Sequence, residues 1–247
     1  MSILYFDCFS GISGDMVLGA LIDCGIDYEI FKGELAKLNI SGYNIEIKKS
    51  SKNGITGTDV NVQLEKCEHG EHQHRNISDI EGIINKSGIT ENAKDISKKI
   101  FRKLAEAEGK VHGKGVEEVH FHEVGAVDSI VDIVGCAICI DILHIDSFAC
   151  SMLNVGRGFV KCQHGIIPVP GPAVVELLRG IPVFSLDINT ELVTPTGAAI
   201  VSTLCTDFGP IPQMVIEKAG YGLGKKNLEI PNLLRIIIGD VKKKPIA

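Results

Sequence analysis

The chain has 247 residues, 45% of them hydrophobic, and a formal net charge of -6. This length allows a substantial core, and the absence of Trp means that the core must be largely aliphatic. The acidic balance argues against nucleic acid as a partner, because phosphate binding needs a basic surface. The longest apolar run, residues 130–143, is too short to span a bilayer and contains two aspartates.

The eight cysteines are scattered and do not follow the spacing of a disulfide-stapled secreted module. The first residues carry neither a basic leader nor a cleavage site. We therefore expect a cytoplasmic protein with reduced thiols and no membrane partner.

In chain order, residues 3–6 predict a short strand, residues 7–14 a Gly/Ser loop and residues 15–24 a helix. A second helix is predicted over residues 28–38. Residues 43–48 and 58–64 alternate apolar and polar side chains, which is typical of half-buried strands. The turn between them, residues 50–57, contains Asn53 and Gly54 and predicts an antiparallel pair.

The polar, His-containing loop at residues 67–76 is the predicted boundary between a sub-domain over residues 1–66 and a second over residues 77–247. The second sub-domain is expected to hold the metal site. Its predicted elements are helices at 77–85, 91–111, from 126, 173–178 and 198–204, and strands at 151–169 and 233–238. Without a regular βαβ order, the pattern favours an α+β fold of mixed or antiparallel sheets with packed helices.

Residues 120–132 (HFHEVGAVDSIVD) concentrate two imidazoles and three carboxylates. In an extended segment His120 and His122 point to the same face, and in the following helix Asp128 and Asp132 lie one turn apart. Together with Glu123, these nitrogen and oxygen donors suit a divalent transition metal. Alternatively, the acidic residues only complement the helix dipole, although Asp132 lies beyond the first turn among apolar residues.

The loop at residues 7–15 (DCFSGISGD) joins the first strand to a helix. Its backbone N–H groups can bind a phosphate or carboxylate, which makes its two serines and two glycines candidate ligand-binding residues. These residues are Ser10, Gly11, Ser13 and Gly14. Asp7 and Asp15 bracket the loop and are candidate metal ligands. The alternative is a tight turn in which Ser13 or Asp15 caps the helix.

Two further segments carry cations. Lys161 and His164 lie on or just after one predicted strand and can receive an anionic substrate, although isolated strand charges usually face water. Lys225 follows the glycine-rich segment 220–224, which suits either a phosphate grip or a hairpin turn. The histidines of residues 69–74 can bind metal loosely or form a polar linker.

Six segments together resemble one family. They are YFDCFSGISGDM (residues 5–16), GITGT (54–58), HFHEVGAVDSIVD (120–132), VGRGFVKCQHG (155–165), LVTPTG (192–197) and GYGLGK (220–225). In this order they are similar to the LarC family of nickel-insertion proteins, which act in nickel-pincer nucleotide cofactor synthesis.

The resemblance implies a protein that binds Ni²⁺ and inserts it into pyridinium-3,5-bisthiocarboxylic acid mononucleotide. In that family the insertion is a cyclometallation that forms a carbon–nickel bond and consumes CTP, with Mg²⁺ or Mn²⁺. Family members often carry a longer histidine run and continue into a further C-terminal domain. A C-terminal domain or partner chain is therefore expected, as is a homo-oligomer.

For this reaction the expected nickel ligands are His120, His122 and Glu123 or Asp128. The expected base is Asp132 or His164, because removal of the ring proton needs a group that titrates near neutrality. Two other functions fit the same donors. A metal-dependent hydrolase of a phosphorylated small molecule would use a metal-bound hydroxide, and a non-enzymatic metallochaperone would only carry nickel.

Overall fold

The computed structural model describes residues 1–65, 75–119, 121, 127–162 and 165–241. Within these ranges the helices are α1 Gly14–Asp23, α2 Tyr28–Ala36, α3 Ile77–Lys86, α4 Glu91–His112, α5 Val127–Leu143, α6 Pro172–Leu177 and α7 Pro195–Leu204. The strands are β1 Ser2–Asp7, β2 Tyr43–Lys52, β3 Ile55–Leu64, β4 Ser147–Cys150, β5 Leu153–Asn154, β6 Phe159–Cys162, β7 Gly165–Pro168, β8 Val183–Phe184, β9 Asp207–Phe208, β10 Val215–Leu223 and β11 Leu233–Asp240.

Seven of these strands form one mixed sheet in the order β2-β3-β10-β11-β1-β4-β9. β1 lies near its centre, antiparallel to β11 and parallel to β4. β5 pairs with β8, and β6 pairs with β7, in two small separate sheets. The predicted α+β class with mixed and antiparallel sheets is confirmed.

The main core lies on the face of the sheet that the helices cover. Because side chains alternate along a strand, Leu4 and Phe6 of β1 enter this core, whereas Ile3 and Tyr5 pack in a smaller cluster on the opposite face. α5 is buried along most of its length, as its apolar sequence predicts. α5 packs against α1, and Asp132 in its second turn lies beside Gly14 at the start of α1.

α1 lies unusually close to the sheet. A Cβ on Gly222 of β10 would overlap the carbonyl oxygen of Met16 and would lie 2.6 Å from the backbone nitrogen of Ala20. Only glycine fits where two backbones approach so closely. Residues 220–223 are therefore part of β10, packed on α1, and residues 224–226 lie in the loop that joins the antiparallel strands β10 and β11. The role of Lys225 in binding a phosphate stays a prediction.

Most predicted elements are confirmed to within a few residues, with two differences. The hairpin of β2 and β3 continues to a tight turn at Asn53 and Gly54, both with positive φ, so the turn is shorter than residues 50–57. The single strand predicted over residues 151–169 is wrong, because Gly158 and Gly165 adopt positive φ and the chain forms β5 and the β6–β7 hairpin instead.

The seven-stranded sheet draws on both predicted sub-domains, since β3 pairs with β10. The division at residues 67–76 stays a prediction, and residues 66–74, which include the histidines of that loop, lie outside the described residues. Among the described helices, none is long and apolar enough to cross a membrane.

Candidate functional site

Three helices begin close together at one end of the main core. Gly14, the first residue of α1, lies so close to α5 and α7 that a Cβ there would be 2.5 Å from Oδ2 of Asp132 and 2.8 Å from Cγ2 of Thr196. Thr196 belongs to the first turn of α7, and Asp132 to the second turn of α5. Helix N-termini carry partial positive charge, so their convergence favours negative charge at this point.

The carboxylate of Asp132 is the most unusual group in this region. Its Oδ1 is buried and has no hydrogen-bond partner in the part of the chain that the structure describes. Burial, and then the nearby charges of Asp15 and Asp128, hold the pKa of Asp132 well above its ordinary value, although Lys225 partly lowers it. A buried carboxylate oxygen without a partner costs free energy, and such groups are frequent at functional sites.

Asp15 is held more firmly. It accepts hydrogen bonds from the hydroxyl of Ser13 and, at 2.9 Å, from the backbone N–H of Met16. Burial raises the pKa of Asp15, while the Ser13 hydroxyl and Lys225 lower it. The N-cap residue Ser13 therefore does not cap α1 with its side chain, because its hydroxyl serves Asp15.

Lys225 supplies the cation of the site. Its Nζ lies 4.0 Å from Oδ2 of Asp15, forms an ion pair with Asp59 and donates to the carbonyl oxygen of Val60 at 2.7 Å. Lys225 follows β10, whereas Asp59 belongs to β3, so the packing of these strands against α1 brings them together. Its side chain remains 47% exposed, so it is accessible to a ligand.

The loop before α1 is tightly built. The N–H of Gly11 donates to the carbonyl oxygen of Cys8 at 3.0 Å, and the N–H of Ile12 donates to that of Leu192 at 2.8 Å. Gly11 has a φ of +84°, and a Cβ there would overlap the Leu192 backbone. The Ser10 hydroxyl is fully buried and has no partner among the residues described.

Asp7 lies apart from this cluster. It forms an ion pair with Arg235, whose Nε donates to Oδ2 of Asp7 at 2.9 Å. Alternation along β1 places Asp7 on the same face as Ile3 and Tyr5, opposite the helices. The structure therefore brings Asp15, Asp132 and Lys225 together but not Asp7.

The other predicted site residues are less well defined. His120, His122, Glu123 and His164 lie outside the described residues, and Asp128 lies in the first turn of α5. Lys161 is exposed on β6, and no hydrogen bond or ion pair links it to the loop before α1, residues 7–14. In the described ranges, no three His, Cys, Asp or Glu side chains are placed to hold a metal ion.

Two neighbours of the site were not predicted as site residues. Asp59 occurs in an alternating strand pattern, where a carboxylate normally faces water, and only the tertiary fold pairs it with Lys225. Thr196 had a weak signal, because the Thr-Pro-Thr-Gly sequence that opens α7 also suits simple capping by Thr194.

Comparison with known proteins identifies relatives of the chain. Residues 4–246 match the family model for nickel insertion protein. Relatives named pyridinium-3,5-bisthiocarboxylic acid mononucleotide nickel insertion protein occur in Acetivibrio thermocellus, Clostridium kluyveri and Desulfitobacterium hafniense. They are 55%, 52% and 48% identical to the chain over 99%, 98% and 98% of its length.

The chain spans 62%, 63% and 59% of the length of these three relatives, or about three fifths. No solved structure matches it. The family model covers nearly all of the sequence, in agreement with the six motifs and their order. The chain therefore belongs to the nickel insertion protein family.

Proposed function

We propose that the chain binds Ni²⁺ as a substrate and inserts it into pyridinium-3,5-bisthiocarboxylic acid mononucleotide. The names of its relatives support this function over a hydrolase or a metallochaperone. The observation that carries the proposal is the unpartnered, buried oxygen of Asp132 at the point where α1, α5 and α7 begin.

His120, His122 and Glu123 or Asp128 would hold the nickel, with Asp15 as a further oxygen donor. Imidazole and carboxylate groups suit a first-row transition metal. Asp128 and Asp15 are both close enough to Asp132 to influence its pKa, which supports a donor set gathered beside α1. Asp7 is the weakest candidate ligand, because Arg235 already occupies its carboxylate.

Asp132 is the favoured base, with His164 as the alternative. In the proposed step the ring C–H bond breaks, a carbon–nickel bond forms and the released proton passes to the base. A carboxylate normally binds protons too weakly for this task, and the raised pKa of Asp132 brings it closer to neutrality. A positioned base contributes roughly 10²- to 10⁴-fold to a rate.

The mononucleotide phosphate would lie at the Ser10–Gly14 loop beside Lys225. Three observations support this position. The start of α1 lies against the first turn of α7 and the second turn of α5, the Ser13 side chain does not cap α1, and Lys225 is half-exposed beside Asp15. Lys161 is the second candidate, on the exposed β6 strand.

No group of three potential metal ligands occurs in the described residues, and no contact among them assigns a site to CTP with Mg²⁺ or Mn²⁺. We therefore derive no step through CTP. A CTP-dependent lyase of the cyclometallase type would draw on the C-terminal portion of its relatives, which we propose as a domain or partner chain.

The test is to mix the purified chain with Ni²⁺ and the precursor, with and without CTP, and to detect the nickel adduct by mass spectrometry. Calorimetry with Ni²⁺ alone provides a second measurement, which does not depend on turnover. We expect the double variant His120→Ala, His122→Ala to bind Ni²⁺ at least tenfold more weakly. Unchanged Ni²⁺ affinity would refute the ligand assignment.

The role of Asp132 is tested by Asp132→Asn, which preserves the shape of the side chain but cannot accept the proton. We expect adduct formation to slow by roughly 10²-fold or more, with Ni²⁺ affinity nearly unchanged. Asp187→Asn is the matched control, because that side chain is 78% exposed. Equal rates for Asp132→Asn and the parent would exclude Asp132 as the base.

A further inference from the structure

A cluster of three thiols includes Cys8, in the loop before α1, and has no part in the proposed reaction. Cys8 directly follows β1, Cys150 is the last residue of β4, and Cys205 is the C-cap residue of α7. Cys8 and Cys150 are fully buried, and Cys205 is 7% exposed. All three are free cysteines.

Cys150 occupies the middle of this cluster. Its Sγ lies 3.6 Å from Sγ of Cys8, and hydrogen bonds with Cys205 and then Cys8 lower the pKa of Cys150 to about 5. Burial raises the pKa of both Cys8 and Cys205. The three thiols titrate as one coupled group, in which Cys150 is the most acidic member.

We propose that Cys8 and Cys150 form a disulfide when the protein meets hydrogen peroxide. β1 and β4 are adjacent parallel strands, with Phe6 opposite Cys150, so the two sulfurs project from neighbouring chain segments. The separation of 3.6 Å is a contact distance, and a disulfide needs the sulfurs to approach to about 2.05 Å. A metal ion is the less favoured occupant, because no three ligands of the described residues are placed to hold one.

The chemistry needs only peroxide as oxidant, which reaches the buried sulfurs when the fold opens locally. The Cys150 thiolate attacks one peroxide oxygen, the O–O bond breaks, and a sulfenic acid forms while the other oxygen leaves as water after taking up a proton. The Cys8 sulfur then attacks the sulfenic sulfur, the S–O bond breaks, and a second water leaves with the Cys8 proton. Two thiols lose two electrons and two protons, and peroxide is reduced to two waters.

The disulfide would link Cys8, at the start of the loop before α1, to the end of β4. Cys8 accepts hydrogen bonds through its carbonyl oxygen from the N–H groups of Gly11 and Asn154, so it anchors the turn that leads into the candidate site. An oxidative cross-link at this residue is therefore placed to couple peroxide exposure to the geometry of the Ser10–Gly14 loop.

The experiment uses a parent variant with Cys67→Ser and Cys162→Ser, since Cys67 lies outside the described residues and Cys162 is only half-buried. The folded parent is treated with hydrogen peroxide, the reaction is quenched, and the mass of the intact protein is measured by mass spectrometry. We expect a loss equal to two hydrogen atoms, two fewer free thiols after denaturation, and full reversal by dithiothreitol.

The pair is assigned by variants, because Cys150 shares one tryptic peptide with Cys136 and Cys139. Cys8→Ala and Cys150→Ala should each abolish the mass loss, and Cys139→Ala, on the buried face of α5, should retain it. A thermal melt of each variant confirms that it is folded. Alanine suits these positions because a buried thiol packs as a small hydrophobe.

Three outcomes would overturn the proposal. One is the absence of any mass loss in the parent, and another is a loss that persists in Cys8→Ala but disappears in Cys205→Ala. The third is protection of the thiols by one equivalent of Ni²⁺ with a thiolate charge-transfer band that requires Cys150, which would assign a metal site instead.

Discussion

The helix pair α3–α4 follows the usual rules of helix capping, whereas the start of α1 departs from them. In the pair, Asn76 and Asp79 form a capping box, Thr90 accepts the N–H of Ala93, and Gly113 ends α4 in the left-handed conformation. At the start of α1 the N-cap hydroxyl of Ser13 serves Asp15 instead, and the pKa values of Asp15 and Asp132 are raised by burial.

The difference indicates which region is arranged for stability alone. The charges of α4 lie largely on its surface, where pairs such as Lys94 with Glu91 contribute little. The start of α1 contains buried acidic groups that weaken the fold unless a ligand compensates them. Natural proteins break local rules mainly at functional sites, which supports the proposed function at α1 and a structural role for α3–α4.

The largest expected effect comes from the close packing of α1. Gly222→Ala places a methyl group against the backbone of Met16 and Ala20, where no side chain can move aside. We expect a loss of about 3 kcal/mol or more in the free energy of unfolding, at the upper end of overpacking costs. Urea unfolding followed by circular dichroism measures it, and a loss below about 1 kcal/mol would contradict the close approach.

Asp132→Asn should change how the free energy of unfolding depends on pH, because burial and the charges of Asp15 and Asp128 raise the pKa of Asp132. The pKa of Asp132 is higher in the folded protein than the unfolded value of about 3.9. Between these two pKa values the folded state binds more protons, so the stability of the parent falls as the pH rises through this window and then levels off. The variant cannot bind this proton, so its stability does not fall in this pH window.

The variant should therefore match the parent near pH 4 and exceed it at higher pH, by about 1.4 kcal/mol for each unit that separates the two pKa values. Urea unfolding over a pH series measures the difference. Asp95→Asn in α4, with a side chain that is 63% exposed, is the control. A difference between variant and parent that does not change with pH would show that Asp132 is not strained in the folded chain.

The two N-caps provide a smaller, matched test. Thr90→Ala should cost about 1 kcal/mol, since it removes the cap of α4. Ser13→Ala should cost less, because that hydroxyl caps no backbone N–H of α1, and it should raise the pKa of Asp15 further by removing a hydrogen bond that lowers it. Urea unfolding at pH 7 gives both costs, Thr90→Ser serves as control, and a larger cost for Ser13→Ala would reverse the comparison.

Local signals made the helix pair predictable from sequence. The apolar stripe of α4 and the polar loop before α3 gave both helices to within a residue or two, and Asn53-Gly54 gave the β2–β3 hairpin. Asp132 was a candidate because a carboxylate among Ile and Val beyond the first turn of a helix is costly. These features depend on neighbours in sequence, which is why periodicity and turn chemistry indicated them.

The contacts that complete the site were not predictable, because they join distant parts of the chain. Asp59 and Lys225 are 166 residues apart, and Asp7 and Arg235 are 228 residues apart. The glycines before Lys225 suggested a turn, yet Gly222 is required by the approach of α1. No local sequence pattern indicates which helix packs across a given strand, so these contacts could be identified only from the tertiary structure.

Gly82→Ala should give the smallest effect, with the sign opposite to that of Gly222→Ala. Gly82 lies inside α3, and a Cβ there would meet no atom within 4 Å. Alanine reduces the conformational entropy of the unfolded chain and favours the helix, so we expect a gain of about 0.5–1 kcal/mol. Urea unfolding of both variants in one buffer measures the contrast. A loss of stability at Gly82 would mean that α3 is also under a packing constraint, and the contrast between the two regions would fail.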